Sequence, residues 1–389
     1  MDERAQEQIR DVMRDMVGDA FVSGVNALVI KDGEEVFYGQ EGVRDIETAE
    51  PMTRDTIFRL YSMSKPVTAA AVMILLQEGK IDLGDSVGKY LPGFEKPILL
   101  KGWMPMQTEK PVTIQELLNM TSGVVYPGEN GPAEVRTGIL MEEIKDKLLT
   151  KEALSTVEIA NRLGRIPLAF EPGERWNYGM SADVLGAVVE QVSGLRFGEF
   201  LKERIFLPLG MEDTDFYVPA EKQNRLAKVY RGTEQGLALY TEPHLGIQNR
   251  MEFSPAFESG GAGLCSTVDD YSRFSRMLLN RGTLDGVTIL KPGVVDFMTS
   301  CHVTERQQAG VNEWESLAGY TYGNLLRVMK DPGSALSLGC IGEYGWDGWL
   351  GTYMANIPEK NITFLLMQQR TDSGTTGYVR RIRNIILAE

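Results

Sequence analysis

With 389 residues, 43% of them hydrophobic and 24% charged, the chain can bury a large core in one domain or in two interlocked ones. A formal net charge of −14 repels nucleic-acid phosphates and anionic membrane surfaces, so neither is expected as a partner. The two histidines, His244 and His302, lack ligand-spaced partners, and Cys265, Cys301 and Cys340 form no C-x-x-C pair. No metal site is predicted, and the cysteines read as reduced, buried bystanders in a cytoplasmic protein.

The opening MDERAQEQIRDVMRDM is charged and lacks a basic-then-apolar leader, so no secretory signal is expected. Ile9, Val12, Met13, Met16 and Val17 recur at helical spacing and predict an amphipathic N-terminal helix. Runs at 25–31 and 35–39 flank Asp32-Gly33, a hairpin signal. From 67 to 76 almost every residue is apolar, which predicts a helix buried all round and stopped by Gly79. The longest uncharged apolar stretch, 66–76, is too short to span a bilayer.

The middle of the chain carries helical stretches at 113–120 and 181–192 and long Gly/Pro loops such as 126–132. Near the end, runs at 352–357 and 362–368 surround Pro358-Glu-Lys-Asn361, a second hairpin. A last helix from about Tyr378 puts Val379, Ile382, Ile385 and Ile386 on one face, with Arg380, Arg381 and Arg383 largely off it. Helix–hairpin at one end and hairpin–helix at the other predict a single antiparallel sheet assembled from both termini. The expected fold is α+β: an α/β sandwich of residues 1–79 and 251–389, a mainly helical insertion at 80–250, and a site at their interface.

Two stretches offer a serine nucleophile. Gly84-Asp-Ser86-Val-Gly88 spells G-x-S-x-G and, through Lys89, also S-x-x-K. The hydrolase elbow needs a strand–turn–helix setting, whereas Ser86 follows a polar, glycine-punctuated loop, so it reads as a decoy. Ser62-Met-Ser-Lys65 instead opens the buried helix. Pro66 is tolerated only near a helix start, which puts Ser62 at the helix N-terminus and Lys65 one turn along the same face. A serine hydroxyl needs a base to become a nucleophile. A lysine held in a partly dry site can lower the hydroxyl's pKa or serve as base itself, and the helix terminus favours developing negative charge. A Ser-His-Asp triad would have to recruit His244 or His302, each of which reads as a surface or satisfied core residue.

Beyond Ser62 and Lys65, an ordered set of motifs resembles the serine β-lactamase-like superfamily: class C β-lactamases, DD-peptidases and family VIII carboxylesterases. The set comprises Leu60-Tyr-Ser-Met-Ser-Lys-Pro66, Thr113-Ile-Gln-Glu-Leu-Leu-Asn-Met-Thr-Ser-Gly123, Pro172-Gly-Glu-Arg-Trp-Asn-Tyr178, Gly260-Gly-Ala-Gly-Leu-Cys-Ser-Thr267 and Gly345-Trp-Asp-Gly348, spanning about residues 5 to 388. The resemblance implies a β-lactamase/transpeptidase-like fold. It also implies that Tyr178, in the Y-x-N position, shuttles a proton between Ser62 and the leaving group beside Lys65, an ammonium being needed to make its phenolate accessible. Trp346-Asp-Gly348 stands where K-T-G or H-x-G is found and resembles the Trp-Gly-Gly of the esterases. By the same match, the backbone N–H groups of Ser62 and Trp349 form the oxyanion hole, and Gly348 lets its strand approach the substrate. Each such donor is worth on the order of 3 kcal/mol in hydrolases.

Two departures point to the substrate. Met180 replaces the asparagine of Y-x-N and cannot offer its amide. Trp346 replaces the lysine that binds a substrate carboxylate, and Asp347 beside it is expected to repel one. Trp346, Gly348 and Met180 are thus expected to line an apolar cleft suited to small neutral esters. The leading reading is a serine esterase without metal or cofactor, forming an acyl-enzyme on Ser62, with some residual hydrolysis of cephalosporins. The alternatives are a β-lactamase or D-amino-acid peptidase using the same residues, a non-catalytic binding or sensor module, and a Ser86–His hydrolase.

Overall fold

The first helix, Glu3–Gly18, is capped by Asp2, whose carboxylate accepts from the Ala5 N–H, and it buries Ala5, Ile9, Val12, Met13 and Met16. The chain then turns into a hairpin of strands Gly24–Lys31 and Glu34–Asp45. Asp32 and Gly33 both take left-handed φ, 53° and 85°, as a two-residue turn between right-twisted strands requires. This is a computed structural model of the chain, and it describes residues 1–102 and 104–389.

The C-terminal hairpin, Tyr353–Ile357 and Ile362–Gln368, meets the N-terminal one at the centre of the sheet. Gly24–Lys31 runs antiparallel to Ile362–Gln368, from Val25 opposite Gln368 to Lys31 opposite Ile362. Outward on one side follow Glu34–Asp45 and Glu50–Pro51. On the other come Tyr353–Ile357, Tyr344–Asp347, Leu326–Met329 and Tyr320–Gly323, giving eight antiparallel strands. Sequence reading missed the outermost pair, whose turn places Asn324 and Leu325 in the left-handed region without a glycine to announce it.

Both sheet faces are apolar and both are covered. Ala27, Val29, Phe364 and Leu366 face the two terminal helices, where Ile9, Met13, Val379 and Ile382 close that layer. The alternate positions Leu28, Leu365 and Met367 face the larger core, which holds the helices Ser64–Gln77 and Val268–Leu279.

Ser64–Gln77 buries every residue from Ser64 to Leu75 and ends at Gly79, φ 68°. Between 80 and 250 lie helices Ile114–Leu118, Pro132–Lys147, Thr156–Gly164 and Ser181–Ser193, with two antiparallel strand pairs, Ile98–Lys101 with Met104–Gln107 and Tyr230–Thr233 with Gly236–Leu239. Leu117, Val188 and Phe197 from this region belong to the same core as Leu28, Val268 and Leu365. The helix from Pro132 takes the end of a stretch read as loop. Exposed Val135 and Ile139 blur the stripe of Ala133, Leu140, Met141 and Ile144.

All three cysteines are free, but only Cys265 is a buried bystander: Cys301 is exposed and Cys340 half-buried. Among the described residues, no helix is long and apolar enough to cross a membrane.

Candidate active site

The chain enters the site strained. Tyr61, fully buried, holds φ at 45°, and the next residue is Ser62. Ser62 lies in a single 3-10 turn, Tyr61–Met63, just ahead of the helix rather than at its cap. That turn is fastened on three sides. The Leu60 N–H donates to Leu264 O (2.9 Å), the Tyr271 hydroxyl donates to Met63 O (2.7 Å), and the Thr352 hydroxyl donates to Leu60 O (3.0 Å).

Lys65 is fully buried, and its Nζ donates to Ser62 Oγ at 3.0 Å, Gly261 O at 2.8 Å and the Tyr126 hydroxyl at 3.1 Å. Desolvation pulls its pKa down to about 7, with Asp183 and Asp347 acting weakly the other way. The Gly261 carbonyl is itself held in place. The Gly261 N–H donates to Asp183 Oδ1 (3.1 Å), and so does the Ser259 hydroxyl (2.5 Å).

Tyr178 lies with its ring centroid 4.6 Å from Lys65 Nζ, and its hydroxyl accepts from the Trp346 indole N–H at 2.9 Å. Burial raises its pKa well above the ordinary phenol value, and the Ser62 hydroxyl and Trp346 indole offset only part of that. The ammonium lies over the ring rather than against the hydroxyl. The condition for an accessible phenolate, an ammonium against the hydroxyl, is therefore not met in this geometry.

A cavity of about 530 Å³ opens over Ser62, walled by Tyr126, Tyr178, Trp314, Trp349 and His244. Its charged lining residues, Glu142 and Lys145, pair with each other at 3.5 Å on exposed side chains. Neither the Ser62 N–H nor the Trp349 N–H donates to another group among the described residues, so both remain free for an oxyanion.

Three expected substrate contacts are placed elsewhere. Met180, 1% exposed, sits in the core at the N-cap of Ser181–Ser193, outside the cavity wall. The Asn177 N–H donates to Met120 O (2.9 Å), and a Cβ on Gly179 would stand 2.1 Å from Val124 O. That packing turns the third motif position inward. Trp346, 2% exposed, acts on Tyr178 instead of lining the cavity. A Cβ on Gly348 would meet Leu60 O at 2.2 Å, so this glycine admits the turn that carries Ser62, not the substrate.

Asp347 does not face a ligand either. Alternation along Tyr344–Asp347 puts it on the opposite sheet face from Trp346, and it accepts from buried Arg327 at 2.8 Å. Asp347 therefore reaches the site only through its field, which the paired Arg327 offsets, and not as a group facing the substrate.

Ser86 caps a lone turn by accepting from the Gly88 N–H (3.2 Å), and Lys89 pairs with Asp85 at 2.9 Å, both outside the cavity. His302 places its Nε2 against Ser300 Oγ and Phe297 O, outside the cavity wall. His244, which the sequence offers only as the base of a triad and otherwise as a surface or satisfied core residue, stands in the cavity wall instead, as does Tyr126, which sequence reading does not single out. The one available signal was the aromatic end of Val124-Val125-Tyr126 inside a polar loop.

Comparison with known proteins bears on this arrangement. A family model described as Beta-lactamase matches residues 9–388. Esterase EstB of Burkholderia gladioli is 30% identical over 367 residues, covering 91% of this chain and 88% of that protein. EstCE1, described as a hydrolase with promiscuous acyltransferase activity, superposes with a TM-score of 0.84 at 26% identity, covering 98% of each chain. A family VIII carboxylesterase shares the fold with a TM-score of 0.73 at 20% identity, over 98% of this chain and 96% of its own.

Proposed function

The chain belongs to the beta-lactamase family, and from that premise we propose that it is a serine hydrolase cleaving neutral carboxylic esters through an acyl-enzyme on Ser62. The observation that carries this reading is the 3.0 Å contact between Ser62 Oγ and an amine, Lys65, whose burial brings its pKa to about 7. Neutral Lys65 takes the hydroxyl proton as Oγ bonds to the ester carbonyl carbon. The oxyanion is held by the N–H groups of Ser62 and Trp349. Collapse breaks the ester C–O bond, and the proton held by the Lys65 ammonium passes to the departing alkoxide, which the Tyr178 hydroxyl in the same wall steadies by a hydrogen bond. Water then attacks the acyl carbonyl, gives its proton to Lys65, and the released serine regains it.

Aromatic walls and the self-paired Glu142–Lys145 support a preference for neutral substrates, since no unpaired cation lines the described cavity. Its volume, within the range of drug-sized pockets, supports acyl or alcohol groups larger than those of the smallest esters. Cephalosporins would follow the same acyl-enzyme route, but slowly, their carboxylate having no partner. Intact-protein mass after a fluorophosphonate tests the assignment in wild type, Ser62→Ala and Ser86→Ala. The adduct is expected in all but Ser62→Ala, and its loss in Ser86→Ala instead overturns the reading.

A further inference from the structure

Part of the cavity wall is a tight turn that the chemistry above does not use. His244 N–H donates to Ile247 O (3.1 Å) and Ile247 N–H returns to His244 O (3.0 Å), closing a two-residue turn over Leu245 and Gly246. Both take left-handed φ, 52° and 75°, which suits the glycine and strains the leucine. The turn is packed from behind: a Cβ on Gly246 would meet Ile144 at 3.0 Å and Phe257 at 3.1 Å.

The turn presents the His244 imidazole flat against Trp349, with centroids 3.9 Å apart and planes 20° apart. The indole is fixed in turn, its N–H donating to Asp372 Oδ1 at 2.7 Å. Trp349 also carries one of the two free backbone N–H groups, so the imidazole sits beside the reacting centre. Neither ring nitrogen has a hydrogen-bond partner among the described residues, unlike the hydroxyls of Tyr126 and Tyr178 in the same wall. Burial keeps the ring neutral, with Asp372 opposing only in part, so it offers one donor and one acceptor.

We propose that His244 is a substrate-binding residue, hydrogen-bonding a hydroxyl group that the ester carries away from the scissile bond. This inference rests on the ester-hydrolase reading of Ser62. Stacking alone would be served by phenylalanine. What the ring nitrogens add is discrimination, because a site built around a substrate oxygen disfavours the analogue lacking it.

The test is kcat/KM for matched pairs of esters, one hydroxylated and one deoxy, with the hydroxyl stepped along the acyl chain and then along the alcohol. Wild type is expected to favour the hydroxylated member of at least one pair by about five- to tenfold, the worth of one neutral hydrogen bond. His244→Phe should erase that ratio, the hydroxylated ester losing more than its deoxy partner, and His244→Gln should keep part of it. A wild-type ratio near unity in every pair overturns the proposal without reliance on either variant. So does a His244→Phe that lowers both members alike, which marks the ring as a mere prop for Trp349. Turnover of p-nitrophenyl acetate by wild type, lost in Ser62→Ala, separates failure here from failure of the ester-hydrolase reading.

Discussion

Residues 62–65 and 86–89 spell the same S-x-x-K, yet their lysines titrate in opposite directions. Lys65 is walled in by the larger core, and desolvation lowers its pKa to about 7. Lys89 reaches into solvent, where a hydrogen bond to Asp85 raises its pKa. The two serines differ as well. Ser62 Oγ accepts from a lysine and faces a cavity, whereas Ser86 Oγ accepts from the backbone of its own turn. The chemistry of the motif is made by the dry, largely apolar helix behind Ser62, not by the spacing of its letters.

The largest break of that contrast is Lys65→Met set against Lys89→Met. The first leaves Ser62 without a base and should cost about 10²–10⁴-fold in kcat for ester hydrolysis. The second removes an exposed ion pair and should leave kcat unchanged. Equal losses in the two variants sink the assignment.

A smaller but sharper effect is the pH profile. If neutral Lys65 is the base, kcat/KM falls about tenfold per pH unit below about 7 and levels off above it. Stability follows the same group. Its folded pKa lies near 7 and its ordinary value at 10.5, so between these the unfolded chain binds more protons than the folded one. Unfolding free energy should therefore rise with pH across that window and lose the slope below it, where both states are protonated. Lys65→Met should flatten both curves, and Lys89→Met neither. An activity profile flat from pH 6 to pH 8 (roughly one unit either side of that value) would remove Lys65 as the base.

Much of this was legible where the signal is local. Asp32-Gly33 and Asn361 mark the two central hairpins because their turns need left-handed backbone, and the sheet built from both termini follows from them. The unbroken apolar run after Pro66 announced a buried helix and with it a desolvated lysine. What stayed hidden arrives from far along the chain. The other two groups that hold Lys65 lie 61 and 196 positions away, at Tyr126 and Gly261. His244 joins the wall through a loop with no periodicity to read. Trp346 faces the site but meets Tyr178 rather than the cavity, whereas Asp347 and Met180 turn away from it. A one-residue step along a strand reverses a side chain's direction, and only the packing of Gly179 and Gly348 against distant carbonyls settles which way each segment lies.

The least effect is expected from the second motif's own serine, and it sharpens the contrast because it appears in stability rather than in rate. Ser86 Oγ accepts from the Gly88 N–H and caps the turn Val87–Lys89, leading to the buried Leu91 and Phe94. Ser86→Ala frees that N–H at a cost of about 1 kcal/mol, as for other caps. In a chain of this length that lowers Tm by only about 1–2 °C, because the unfolding entropy grows with size. Ester hydrolysis should be untouched. Thermal unfolding and turnover measured on the same preparation check both halves. A fall in kcat without a shift in Tm would place Ser86 in the chemistry and reverse the roles of the two motifs.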